Sequence, residues 1–536
     1  MFRLPPDVLC WTLSWLTVRE HLRWNVTCSA AHAVGTQTRA WKTIAFRQCY
    51  FSLRKCRSWV SRHTTHFSVT PLFPPRSGRY VQEVEFLADC TNLQHLSLPK
   101  QSVNSIAALY HMPALEHLDL SGSFIRYLRS LRQCVRLKVL RLNLRPWFKN
   151  PVEATDLKPL SCCTQLETLE LHLEKSQKDI DALTSLVNLR YLRISAFGLR
   201  DLSPLQYCTR LESLILVGDF PRITCMDVLA CFPQLRQLVV EQAGAEDWSA
   251  VGRCPQLKIL EITHSPLRHV DFLAQCSLLE ELRCQNCSYL ENVDALAHCP
   301  RLKKLDLQWC KRVSCIDALV HHRHLSHVTL SGSGIKDLSA LGASTGIVSL
   351  KVNDCIFLED ISVVSGLIHL RELEITGCPK VSSLEAVASC TRLRRFRCSG
   401  VSFTSKTLWP LSRLHELEHV ELRNTSISNL YLVTHWPNLN SLNLELCQRL
   451  KNIRPLRFCQ KLKDLSLSQT AVTNVSVLQH CPLLQRLWLR QTRVRHLIGL
   501  TRCSRFQYAD IEESPLWDPI VLPELKRLFP GVTFSA

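Results

Sequence analysis

Glycine is scarce in this chain, with 16 among 536 residues. That scarcity disfavours a flexible low-complexity polymer. No phosphate-binding loop, nucleophile elbow or metalloprotease motif occurs either, so the familiar signatures of catalysis are missing. Aromatic residues make up only 7% while hydrophobic residues reach 46%, which leaves leucine as the main core material. No apolar run of about 18 residues occurs, so no membrane-spanning helix is expected. Val8–Val18 is apolar, but Pro5-Pro6-Asp7 precedes it, Arg19-Glu20 follows it, and no small-residue cleavage site is near, which argues against a secretion signal. Acidic residues are almost lacking from the first 80 positions: Asp7 and Glu20 stand against twelve Lys/Arg, so +10 of the total +19 charge lies there. A basic head of this kind suits an acidic partner, protein or nucleic acid, and also describes an ordinary solvated basic surface.

One phrase recurs instead. An apolar residue, two variable, an apolar, one variable and a third apolar appear nineteen times between Leu93 and Ile511, as in Leu302-Lys303-Lys304-Leu305-Asp306-Leu307. Successive copies start 22 to 24 residues apart, with a single step of 29. A fixed period of this length means a stacked array, not a globe around one closed core. Within a copy, Leu305 and Leu307 alternate with Asp306, which places the leucines on one side of a short strand and the aspartate on the other. Stacked copies therefore predict a parallel sheet with a leucine inner face.

The return path is short. Segments such as Asp201-Leu202-Ser203-Pro204-Leu205 and Asp337-Leu338-Ser339-Ala340-Leu341 follow the strand, and Asp or Ser with an early Pro suits the start of a helical turn. About ten residues suffice only for a 3₁₀ turn or a very short helix. Val81-Gln82-Glu83-Val84-Glu85-Phe86 fits the phrase twelve residues before Leu93 and reads as a capping strand. Phe506, Ala509 and Ile511 form a degraded last copy, and Pro523–Val532 reads as a short helix with a final strand.

The cysteines follow the same register. Of 26, eleven sit three residues before the phrase (Cys90, Cys134, Cys163, Cys208, Cys254, Cys276, Cys299, Cys390, Cys459, Cys481 and Cys503) and five sit three after it (Cys287, Cys310, Cys355, Cys378 and Cys447). A thiol recurring at one repeat position reads as a buried spine, since free cysteine packs as a small hydrophobe. Neighbouring spine positions would lie about 5 Å apart. A reducing compartment, cytoplasmic or nuclear, keeps them as thiols. Cys284-x-x-Cys287 and the cluster His321, His322, His324 and His327 fall on repeat positions and lack a second ligand pair at zinc spacing. No metal and no cofactor are expected.

These features resemble leucine-rich repeat proteins. The Cys-Pro-Arg-Leu start at Cys299 with the later Cys310 is similar to the cysteine-containing class, and the 22-residue steps to the short class of bacterial adhesins and phosphatase regulators. The resemblance implies an α/β solenoid: a leucine-rich repeat horseshoe with a parallel β-sheet on the concave face and short 3₁₀ or α turns on the convex face. A small helical N-terminal module precedes it. The expected boundaries are 1–48 for that module, 49–80 for a basic linker, 81–511 for the repeats and 512–536 for a C-terminal cap.

The module itself carries Leu4-Pro5-Pro6-Asp7-Val8-Leu9, Leu13-Ser14-Trp15-Leu16, Glu20-His21-Leu22, Val26-Thr27-Cys28 and Trp41. In order and spacing these resemble an F-box, the adaptor-binding motif of cullin ubiquitin ligases. The resemblance implies a Skp1-like adaptor and a cullin complex as partners, with Leu4, Pro5, Leu9, Leu13, Leu16, Leu22, Val26 and Trp41 on or under the contact. One departure is Ser29-Ala30-Ala31-His32, where the family usually has basic and aromatic residues.

On the sheet face away from the leucines, charges of both signs alternate, which argues against a continuous nucleic-acid track. Two places depart from that polarity and are the candidate target-binding sites. Ile215, Val217, Val239 and Ile259 are expected to adjoin across three strands as an apolar patch. Arg486, Trp488, Arg490 and Tyr508 combine the residue types enriched at binding hot spots. The functional expectation is a non-catalytic substrate-recruiting adaptor of a Skp1–cullin–F-box ubiquitin ligase, a monomer within a hetero-complex and free of the membrane. The alternatives are a leucine-rich scaffold of cytoskeletal or phosphatase-regulatory type, or RNA binding through the basic stretch at Arg54, Lys55 and Arg57.

Overall fold

The structure is a computed structural model that describes residues 43–47, 64–70, 84–99, 103, 105–123, 125, 127–144, 156–173, 177–218, 223–400 and 403–535. The chain divides into two compact units, Met1–Ser265 and Pro266–Ala536. The first holds ten described strands from Thr43–Arg47 to Ile259–Thr263, each hydrogen-bonded in parallel to the next in chain order. The second holds twelve, from Glu281–Arg283 to Thr533–Ser535, again parallel and in chain order. A 3₁₀ turn of three or five residues lies between most successive strands, and Val521–Leu528 is an α-helix in the last segment. This is the leucine-rich repeat fold.

The local chemistry of each repeat explains the alternation. Leu305 of the strand Lys304–Asp306 is buried and pairs with Leu282 and Val328, while Asp306 lies on the opposite face. The ladder continues past the strand, with Leu307 N donating to Thr329 O at 2.8 Å and Trp309 N to Ser331 O at 2.7 Å. Trp309 then takes a φ of 61°, and the same position is left-handed at Gln242, His264, Asn286, Asp354, Asn424, Leu446, Gln469, Gln491 and Glu513. That turn ends the strand, at a cost of about 1 kcal/mol or more for a residue with a Cβ. Glycine fills it at Gly332 and Gly377, with φ of 70° and 66°.

The return begins with a side-chain cap. Asp201 accepts from Ser203 N at 2.8 Å, Asn292 from Asp294 N at 2.6 Å, Asp337 from Ser339 N at 3.0 Å and Asp360 from Ser362 N at 2.7 Å. Cys225 and Cys315 stand at this position in two repeats, where the sulfur accepts from Asp227 N at 3.5 Å and Asp317 N at 3.4 Å. The turn itself buries every third residue, as in Val293, Leu296, Cys299 and Leu302. That spacing matches the three residues per turn of a 3₁₀ helix.

The same period corrects one expectation. Val84, Leu87, Cys90 and Leu93 are buried at intervals of three, and Glu85–Leu87 is a 3₁₀ turn where a capping strand was expected over Val81–Phe86. The strands that precede Leu93 are Thr43–Arg47 and His66–Thr70, in the stretches read from sequence as the end of the head and as linker. Their five residue pairs run from Thr43 with His66 to Arg47 with Thr70. At the other end Thr533–Ser535 pairs with Tyr508–Asp510.

Spine cysteines tie one repeat to the previous one. Most cap a 3₁₀ turn and turn the thiol to a carbonyl of the preceding turn: Cys163 Sγ to Leu131 O at 3.5 Å, Cys254 to Leu229 O at 3.3 Å, Cys390 to Val364 O at 3.3 Å and Cys481 to Leu456 O at 3.4 Å. Where cysteine is replaced, Trp436 Nε1 donates to Leu411 O at 3.0 Å and His322 Nε2 to Cys299 O at 3.1 Å, whereas Met112, Leu186, Phe232, Leu367 and Leu414 fill the position without a donor. A second column behaves alike after the strand: Cys310 reaches Cys284 O at 2.7 Å and Cys378 reaches Val352 O at 2.8 Å. Burial pushes the thiols of Cys134, Cys163 and Cys481 up to about 12.

Candidate functional site: the strand faces of the two units

The residue between the last two leucines of each phrase faces away from the core and forms a row. In the first unit it runs Ser97, Asp119, Arg141, Glu170, Arg193, Ile215, Val239 and Glu261, each paired with the next. In the second it runs Arg283, Asp306, Thr329, Lys351, Glu374, Arg397, Glu421, Asn443, Ser466, Trp488 and Asp510. Opposite charges on neighbouring strands pair off. Arg141 lies 2.8 Å from Glu170 and 3.5 Å from Asp119. Glu374 lies 3.1 Å from both Lys351 and Arg397, and Arg397 reaches Glu421 at 3.5 Å. These pairs neutralise most of the row.

The apolar patch of the first unit is smaller than its expected form. Ile215 is buried at 8% exposure and stands directly across from Val239, which is half-buried. Val217 lies two residues further along the same strand, opposite Ser195. Ile259 pairs with Gln237, and it is Glu261 that faces Val239. Ile259 therefore meets Val239 only on the diagonal, because a shift of two residues along a strand keeps the face but moves the contact.

The patch of the second unit is brought together and held. Arg486 contacts both carboxylate oxygens of Asp464, at 2.5 and 2.8 Å, and its guanidinium lies 5.6 Å from the Trp488 ring. Trp488 and Tyr508 lie 5.8 Å apart, and the Tyr508 hydroxyl bonds to Ser535 Oγ at 2.7 Å, so the last strand steadies the tyrosine. Arg490 lies 3.3 Å from Glu512 and 3.4 Å from Glu513. The Asp464 carboxylate raises the Arg486 pKa through this hydrogen bond. The four side chains form a preorganised, half-exposed platform whose cations are already matched by carboxylates.

Three histidines were not singled out by sequence reasoning. His66, His95 and His117 pair on adjacent strands and stack, with ring centroids 5.6 and 4.0 Å apart. Burial, then the His95 charge, lowers His117 to about 4, and its Nδ1 is buried without a hydrogen-bond partner. The signal was available as one residue type at one repeat position, first plain once His66 joins the sheet.

Among the described residues no group of three His, Cys, Asp or Glu side chains is arranged to hold a metal ion. A cavity of about 20 Å³ beside Leu408, Trp409 and Trp436 has room for about one water. No helix among the described residues is long and apolar enough to cross a membrane. The F-box-like residues Leu4, Pro5, Leu9, Leu13, Leu16, Leu22, Val26 and Trp41, and the basic stretch at Arg54, Lys55 and Arg57, lie outside the described residues.

No family model matches the sequence, and no curated protein matches it. Solved structures do match the fold. A leucine-rich repeat protein of Leptospira interrogans is similar at 17% identity over 82% of this chain and 100% of its own, with a TM-score of 0.51. A TDR receptor is similar at 14% identity over 80% of this chain and 82% of its own, with the same TM-score of 0.51. At these identities the likeness is one of fold.

Proposed function

We propose that this chain is a non-catalytic, substrate-recruiting subunit of a Skp1–cullin–F-box ubiquitin ligase. The observation that carries the reading is the joining of two unlike parts. A basic, non-repeating head sets Leu4-Pro5, Leu9, Leu13, Leu16, Leu22, Val26 and Trp41 in F-box order, and a leucine-rich array follows it. The head docks a Skp1-like adaptor and through it a cullin. The array holds a protein target, with the Ile215–Val239 pair, Val217 and Ile259 as one contact and Arg486, Trp488, Arg490 and Tyr508 as the other. The chemical contribution is proximity, keeping a target lysine near a charged conjugating enzyme. Thiols recurring at stacked positions suit the reducing cytoplasm or nucleus.

The departure at Ser29-Ala30-Ala31-His32 favours a second reading, a leucine-rich scaffold whose head only caps the array. Titration of the purified chain with a purified Skp1-like adaptor separates the two. The ligase reading expects one-to-one binding in roughly the micromolar range or tighter. It also expects a Leu4→Asp/Pro5→Ala variant to lose at least about tenfold, roughly 1.4 kcal/mol. No binding by the wild type would leave the scaffold reading.

A further inference from the structure

Between Leu446 and Ala509 the chain carries twelve Lys/Arg and a single acid, Asp464. Arg486 uses that acid, and Arg490 is matched by Glu512 and Glu513. The others include Arg449, Lys451, Arg493 and Arg495, all exposed, in the loops that follow the strands Ser441–Asn443 and Arg486–Trp488.

Elsewhere in this unit the same repeat position is neutralised. Arg312 and Lys380, ten residues after the phrase starts at Leu302 and Leu370, each pair at 2.5 Å with an acid on the preceding repeat, Glu291 and Glu359. Those acids stand twelve residues after Leu279 and Ile347. Those acids directly precede the cap residues Asn292 and Asp360, and Arg449 stands ten after Leu439, but the residue before the cap Asn429 is Ser428. The corresponding residue below Arg493, before the cap Asn474, is Thr473. One residue after the phrase starts, Lys303 pairs with Glu280 at 2.6 Å, whereas at the same position Lys463 follows Asn440. Beside Arg449 and Arg493 the array thus places uncharged side chains where Arg312 and Lys380 meet acids.

We infer that the loop edge formed by Arg449, Lys451, Arg493 and Arg495 is a docking surface for a short acidic peptide segment of a protein partner. The two cation pairs lie two strands apart, roughly 10 Å, the reach of about three extended residues. The local charge excess complements carboxylates, and four of the last repeats' nine arginines or three lysines in one stretch of edge suffice for several charge-assisted contacts. A longer polyanion such as single-stranded RNA fits worse. It would run onto Glu445 on one side and Glu512 and Glu513 on the other. This inference rests on the array being a protein-binding surface and not on the head, so adaptor binding and peptide binding fail separately.

The test uses the full chain and a fluorescein-labelled polyglutamate peptide, with a polyglutamine peptide and an oligouridylate as comparisons, read by anisotropy. The expected result is saturable binding of the polyglutamate peptide that weakens with salt, and no binding of polyglutamine. Arg449→Glu/Arg493→Glu/Arg495→Glu should weaken it at least tenfold with an unchanged thermal transition, while Arg312→Glu, at the matched position, should leave it unaltered. Equal peptide binding by the triple variant, or no binding by the wild type, overturns the proposal. Tighter binding of the oligouridylate than of the peptide also overturns it, in favour of a nucleic-acid surface.

Discussion

A cysteine in this chain is a hydrogen-bond donor first. Leucine fills the same position at Leu186, Leu367 and Leu414 but brings no donor, and at Ser344 a hydroxyl donates to His322 O. The thiol does both jobs weakly and fits. Burial holds Cys208 and Cys276 at about 11 and Cys459 and Cys481 at about 12, against an ordinary value of 9.0. The sign follows from which state releases the proton. Below about pH 9 neither state ionises and the stabilisation is complete; between there and about 12 the unfolded thiols ionise while the folded ones do not, so stability falls as pH rises. Iodoacetamide at about pH 8 is expected to label the exposed Cys225 and Cys315 in the native protein and to spare Cys254 and Cys481, as read by peptide mass spectrometry. Early labelling of Cys481 would contradict the spine.

At the scale of the element, the caps set where each return turn begins. Replacing Asp337 by alanine removes the acceptor for Ser339 N and is expected to cost about 1 kcal/mol. Hydrogen exchange should then quicken about fivefold across Ser339–Leu341 and stay unchanged in the first strands. No local change would mean the turn is held by packing alone. Here too lies the limit of what the residues disclosed. The phrase of alternating leucines has a period of two and gave each unit's strands and their register directly. Val84, Leu87 and Cys90 have a period of three, which the apparent alternation of Val81–Phe86 conceals. The strand at His66–Thr70 contains Phe67 as its buried apolar anchor, too little pattern to declare itself before pairing with Leu96. The Ile259 displacement was of the same kind, since the face is written in the sequence but the partner across the strand depends on the register.

For the whole molecule, a repeat array distributes its stability over neighbouring contacts and presents long edges. What the edges carry is set by what they lack: acids across the last repeats, and repeats altogether in the head. The proposed function divides the work, with the array to choose a target and the head to deliver it. The direct measurement is a proximity-capture comparison in cells of the wild type, the Leu4→Asp/Pro5→Ala variant and a Trp488→Ala/Tyr508→Ala variant. The expected result is that the head variant loses a Skp1-like protein and a cullin and keeps the remaining partners, whereas the array variant keeps both and loses others. A head variant that captures the same set as the wild type, or a wild type that captures neither adaptor nor cullin, would contradict the account.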